Sequence, residues 1–153
     1  MAVRRRHVER GAGGVTPGAI VALNVHGVCP LIQVFDMPAS LAFYCDVLGF
    51  EIVATSSSAP DCDWAWLKLG GADVMLNTAY EKGDRPSSPD PGRIKAHEDT
   101  ALFFSCPDVD AAYAHLRGKG VAARPPVVQA YGMKQLYIHD PDGYNLCFQW
   151  KAS

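Results

Sequence analysis

The feature that most constrains this chain is that it states one pattern twice. A strand-like run, PLIQVFD (Pro30 to Asp36), leads into a helix-like run, MPASLAFYCDVLGF (Met37 to Phe50). Further on, ALFFSCPD (Ala101 to Asp108) leads into VDAAYAHLRGKGV (Val109 to Val121). Asp36 and Asp108 stand at the two strand-to-helix junctions, where a short carboxylate caps the first turn. Gly49 and Gly120 close the two helices. Duplicated βα units that share a sheet usually build a cleft, and clefts are where small molecules bind.

The strands that complete each unit follow from apolar alternation. Val28 to Phe35 reads as a buried first strand. Phe50 to Ser56, Asp63 to Leu69 and Ala72 to Thr78 follow, with Gly70-Gly71 as a tight turn. In the second half the strands are Ala101 to Cys106, Val127 to Gln129, Gln135 to His139 and Tyr144 to Trp150, with the turn DPDG (Asp140 to Gly143) before the last. Each half is βαβββ. The expected class is α+β, two βαβββ modules forming a curved mixed sheet around a cleft, with helices on one side.

The expected organisation is a disordered basic tail over 1–22, carrying Arg4, Arg5, Arg6 and Arg10, and a single domain over 23–153. That domain consists of modules 28–80 and 100–150 joined by a linker, 81–99. The linker is polar and rich in Pro and Gly; a loop of that length is either disordered or functional, and can lie over the cleft as a lid.

Composition narrows the function. Of 153 residues, 48% are hydrophobic and 20% charged, as in a globular domain. A formal net charge of −2 argues against a dedicated nucleic-acid binder. No apolar run approaches the roughly 18 residues of a membrane span, so no membrane partner is expected. The five cysteines, Cys29, Cys45, Cys62, Cys106 and Cys147, form no CxxC pair and read as reduced thiols, which suits a cytoplasmic protein.

The strings DMPASLAFYCDVLGFE and YGMKQLYIHDPDGYNLCFQ resemble the first-helix and closing-hairpin signatures of the vicinal oxygen chelate superfamily. That group comprises glyoxalase I, extradiol dioxygenases, and fosfomycin- and bleomycin-resistance proteins. The resemblance spans residues 28 to 150 and implies paired modules and a homodimer. Metal-dependent members of the family place His, Gln or Glu on the first and last strands of each module. Carried over one by one, those positions fall on Cys29, Met75, Ala101 and Cys147. An alanine cannot ligate, a thioether suits soft ions only, and two thiols fall short of a closed zinc site. No metal and no cofactor are expected, and the chain resembles most the metal-free bleomycin-resistance-like members.

Strand alternation then names the expected cleft floor. Cys29 brings Gln33, Met75 brings Asp73 and Asn77, Ala101 brings Phe103 and Ser105, and Cys147 brings Asn145 and Gln149. This floor is apolar at its centre and ringed by amides, which suits a neutral, planar organic molecule. Trp64 and Trp66 share a face and are either core packing or an aromatic wall. By the resemblance, Lys134 lines the entrance and can meet an anionic ligand. The expected function is metal-independent binding of a small organic molecule, such as sequestration of a drug. The alternatives are a glyoxalase-, isomerase- or dioxygenase-like enzyme with displaced ligands, and a structural or regulatory dimer with a vestigial cleft.

Overall fold

A computed structural model describes residues 23–80 and 83–153. The expected tail over 1–22 lies outside the described residues. The elements run β1 (Leu31–Val34), α1 (Met37–Leu41), β2 (Glu51–Thr55), β3 (Trp64–Leu69), β4 (Ala72–Thr78), α2 (Pro91–His97), β5 (Ala101–Ser105), α3 (Val109–Gly118), β6 (Val127–Val128), β7 (Met133–His139) and β8 (Asn145–Lys151). The α+β class and the repeated βαβββ order are those the sequence implies. The strands divide between two four-stranded mixed sheets, one per module, β1-β4-β3-β2 and β5-β8-β7-β6. In each, the module's first strand lies parallel to its last, and the other pairs are antiparallel.

The junction residues act as caps. Asp36 Oδ1 accepts from the Ala39 N–H at 3.2 Å, and Asp108 Oδ1 from the Ala111 N–H at 2.9 Å. Helix α1 runs on as a π-helical turn, Ala42–Val47, that carries the fully buried Tyr44. Gly49, at φ +88°, adopts the left-handed conformation that ends it.

One core serves both modules. Ile32, Val34, Ala65, Leu67, Val74 and Leu76 of the first sheet join Leu136, Ile138, Leu146 and Phe148 of the second in a single buried cluster. Alternation therefore turns the opposite faces of both sheets away from this core. Phe50 meets Phe104 edge to face at 6.1 Å, and Phe104 stacks on Phe148 at 5.2 Å. His115 Nε2 lies 2.7 Å from the Val47 carbonyl, which ties α3 to the end of the π turn.

The turn between β7 and β8 plugs the second module into the first. Asp140 accepts from the Tyr44 hydroxyl at 2.9 Å. Asp142 accepts from the Phe35 N–H at 2.7 Å and from the Ser40 hydroxyl at 3.3 Å. The Tyr144 hydroxyl lies 3.2 Å from both the N–H and the carbonyl oxygen of Gln33.

The stretch read as linker, 81–99, contains α2. Asp90 caps it, accepting from the Gly92 N–H at 2.8 Å, and Pro91 suits the first helical position. Packing then holds it. His97 stacks on Tyr144 with centroids 4.1 Å apart and planes 9° from parallel, and its Nδ1 lies 2.7 Å from the Asp142 carbonyl. Asn145 Nδ2 donates to the Glu98 carbonyl at 2.6 Å. The helix thus docks on the β7–β8 turn at the module junction. Composition alone missed it because capping and docking, which composition does not record, outweigh the Pro and Gly content.

Candidate functional site

The first sheet turns Gln33 from β1, Met75 and Asn77 from β4, and Trp66 from β3 to its open face. Register sets Leu31 beside Met75 and Met75 beside Trp66, with Gln33 beside Asn77 and Asn77 beside Trp64. Asn77 Nδ2 donates to Gln33 Oε1 at 3.3 Å. Trp66, 36% exposed, donates its indole N–H to Asp73 Oδ1 at 2.9 Å, and Lys68 pairs with the same carboxylate at 3.3 Å. Trp66's hydrogen bond, assisted by Lys68, holds Asp73 below the usual carboxylate range. Of the two readings of the tryptophan pair, the open face is the one observed; Ala65 and Leu67 between and beyond them enter the core. Cys29 lies before the start of β1, half-buried. Burial pushes its thiol up, and Asp73 adds to the effect.

The second sheet turns Phe103 and Ser105 of β5, Cys147 and Gln149 of β8, and Gln135 and Tyr137 of β7 to its own open face. Cys147 stands between Phe103 and Tyr137 in register and has no exposed surface. The two flanking rings meet edge to face at 6.1 Å. Burial pushes the Cys147 thiol up despite a hydrogen bond from Tyr137, and burial pushes Tyr137 up to about 12, so both stay protonated at neutral pH. Gln135 Nε2 donates to Gln149 Oε1 at 2.7 Å, and the Tyr131 hydroxyl donates to Gln135 Oε1 at 2.9 Å.

The expected floor is thus divided. Gln33, Trp66, Met75 and Asn77 share one open face, and Phe103, Ser105, Cys147 and Gln149 share the other. Lys134 belongs to neither. It alternates with Gln135 onto the helix-facing side of β7, where its ammonium pairs with Asp110 in the first turn of α3. Hollows among the described residues lie elsewhere. One of about 280 Å³ has Met37, Cys62, Tyr80 and Arg85 among its walls; one of about 10 Å³ lies between α2 and Phe35. Neither is lined by a residue of an open face.

Sequence reasoning passed over Gln135 and Tyr137. The signal was present: the DPDG turn fixes the hairpin register, so Tyr137 falls opposite Cys147 and Gln135 opposite Gln149.

The positions that correspond to metal ligands in the resembling family do not fit a divalent ion. Ala101 offers a methyl group, Met75 a thioether, and Cys147 a protonated thiol flanked by two rings. Among the described residues no three of His, Cys, Asp and Glu gather as a metal-binding group. What the two faces offer instead is aromatic surface with amide donors and acceptors beside it.

Paired βαβββ modules with open sheet faces define the class of fold. The chain belongs to the Glyoxalase/Bleomycin resistance protein/Dioxygenase superfamily, whose family model matches residues 25–148. It is 35% identical over 115 residues to the uncharacterized protein YaeR of Escherichia coli (strain K12), which covers 72% of this chain and 84% of that protein. Among solved structures, TnmS3, an antibiotic binding protein from Streptomyces sp. CB03234, superposes with a TM-score of 0.62 at 25% identity, covering 86% of this chain and 100% of that one. The bleomycin-binding protein of Streptomyces verticillus, complexed with copper(II)-bleomycin, superposes with a TM-score of 0.61 at 20% identity over 86% of this chain and 99% of that one. No helix among the described residues is long and apolar enough to cross a membrane.

Proposed function

We propose that this protein binds a small, neutral, planar organic molecule on its open sheet faces, without a metal ion, and that it acts by sequestering the ligand. The observation that carries the reading is the make-up of those faces. Trp66 on one, and Phe103 and Tyr137 on the other, are 36%, 53% and 45% exposed, each beside a hydrogen-bonded amide pair. Aromatic surface held next to fixed amides suits a flat ligand that stacks and hydrogen-bonds at once. The likeness in fold to one protein named for antibiotic binding and another named for bleomycin binding supports the binding of a small organic molecule. Two faces turned away from one core cannot close on a ligand within one chain, so a second copy is part of the reading.

The test is a thermal-shift and fluorescence titration with bleomycin and with planar aromatic antibiotics. Stabilisation follows RT ln(1 + [L]/Kd), so a ligand at a hundred times its Kd raises stability by about 2.7 kcal/mol. Trp66→Ala is expected to weaken binding about tenfold, from loss of roughly 1 kcal/mol of stacking and its buried area. Stoichiometric retention of Ni, Zn, Mn or Fe by the purified protein, with ligand binding that depends on it, would overturn the metal-independent reading.

A further inference from the structure

The open face of the first sheet is a grid. Gln33, Asn77 and Trp64 form one row across β1, β4 and β3, and Leu31, Met75 and Trp66 form the next. Successive residues of one face stand roughly 7 Å apart along a strand, so a ring seated on Met75 reaches the first row with its edge. The charged pair, Lys68 and Asp73, lies one row further on, with Met75 between it and the amides. Trp66 spends its indole N–H on Asp73, so its ring offers surface and no donor.

The amide pair has a fixed polarity. Asn77 Nδ2 donates to the backbone carbonyl of Thr78 at 3.2 Å and to Gln33 Oε1 at 3.3 Å. A backbone carbonyl can only accept, so it settles which end of the Asn77 amide is nitrogen. Both Asn77 amide hydrogens are thereby spent, and Gln33 must turn its oxygen toward them. What remains is one donor, Gln33 Nε2, and one acceptor, Asn77 Oδ1, on neighbouring strands. Neither has a hydrogen-bond partner among the described residues, and both side chains are half-buried.

On the reading that this face binds a planar ligand, we infer that the ligand class is a ring carrying a cyclic amide. Its carbonyl oxygen accepts from Gln33 Nε2, and the adjacent ring N–H donates to Asn77 Oδ1. Covering the pair with carbon alone would take both leftover groups out of water, and a polar group stripped of water without a partner costs more than its bond returns. A lactam edge carries an acceptor and a donor on adjacent atoms in the plane of the ring. It satisfies both groups while the ring lies on Met75 against Trp66. An N-alkylated lactam satisfies only the donor.

Two isomeric probes of equal size separate these cases: 6-methyl-2-quinolinone, whose lactam edge is intact, and 1-methyl-2-quinolinone, which has no N–H. Calorimetric titration is expected to show the 6-methyl isomer binding about tenfold more tightly. Gln33→Glu keeps the oxygen that Asn77 holds and replaces the outward donor by an acceptor. It is expected to weaken the 6-methyl isomer about tenfold, with circular dichroism checking that the variant folds. Independently of any variant, the Gln33 side-chain amide protons of the wild type are expected to shift in a 1H–15N spectrum as the 6-methyl isomer is added. Equal affinities for the two isomers, a Gln33→Glu chain that binds as wild type does, or Gln33 amide protons that stay in place would each overturn the inference and leave the ligand reading standing. So would binding of bleomycin or a planar aromatic antibiotic by a chain that takes neither isomer. If none of these compounds binds, the inference falls together with the reading on which it rests.

Discussion

Asp140 is a buried carboxyl, 6% exposed, that joins the two modules, and its replacement by asparagine is the sharpest probe of that joint. Its Oδ1 accepts from the Asp142 and Tyr144 N–H groups, both at 2.9 Å, and its Oδ2 accepts from the Tyr44 hydroxyl. These bonds favour the ionised form, but burial outweighs them and pushes the carboxyl from 3.8 up to about 6. A carboxyl that binds its proton more tightly folded than unfolded stabilises the fold below pH 3.8 and loses that contribution as pH climbs through about 6. At about 1.4 kcal/mol per pH unit, the loss between pH 4, where the unfolded carboxyl is already more than half ionised, and pH 7.5 is about 2.4 kcal/mol. Asp140→Asn keeps one oxygen for the two backbone donors and sets an N–H against the Tyr44 oxygen, which can accept it. The variant is therefore expected to lack this pH-dependent loss. Urea unfolding of both proteins across pH 4 to 7.5 measures it: the wild type should lose about 2.4 kcal/mol more over that span than the variant. Equal slopes for the two would refute the assignment of a buried, titrating Asp140.

Three further outcomes test the same joint and the open faces. Tyr44→Phe leaves the Asp140 carboxylate short of a buried donor and is expected to cost about 1–3 kcal/mol at pH 7.5, read by urea unfolding. Gly143→Ala forces a side chain onto a residue at φ +86°, with its Cβ 2.6 Å from the Ile94 carbonyl, and is expected to cost about 2 kcal/mol or more and to free α2 to proteolysis. Cys147 is expected to resist a thiol reagent at pH 7 in the folded chain and to react on unfolding, because burial keeps it protonated and covered.

What the sequence determined was local and periodic. Asp36, Asp108, Gly49 and Gly120 mark helix ends whatever surrounds them, because capping and a positive φ are properties of a few adjacent residues. Alternation along β1, β4, β5 and β8 assigned Gln33, Met75, Asn77, Phe103, Ser105, Cys147 and Gln149 to one side of their strands. The resemblance added that the positions of metal ligands in the family fall on Cys29, Met75, Ala101 and Cys147, which carry sulfur and methyl groups. The tertiary structure decided everything that depends on which face meets which. It placed Lys134 on Asp110, because a resemblance in string does not fix the parity of a strand. It turned a Pro- and Gly-rich stretch into α2, because the stacking of His97 on Tyr144 links residues far apart in the chain. It gathered the two helix-facing sides into one core and left the expected floor as two separate faces. The repeat in the sequence is symmetric in its scaffold, but the modules are joined by one turn, Asp140 to Tyr144, that only the second copy carries; the sequence writes that turn, and only folding decides that Tyr44, Ser40 and Phe35 meet it.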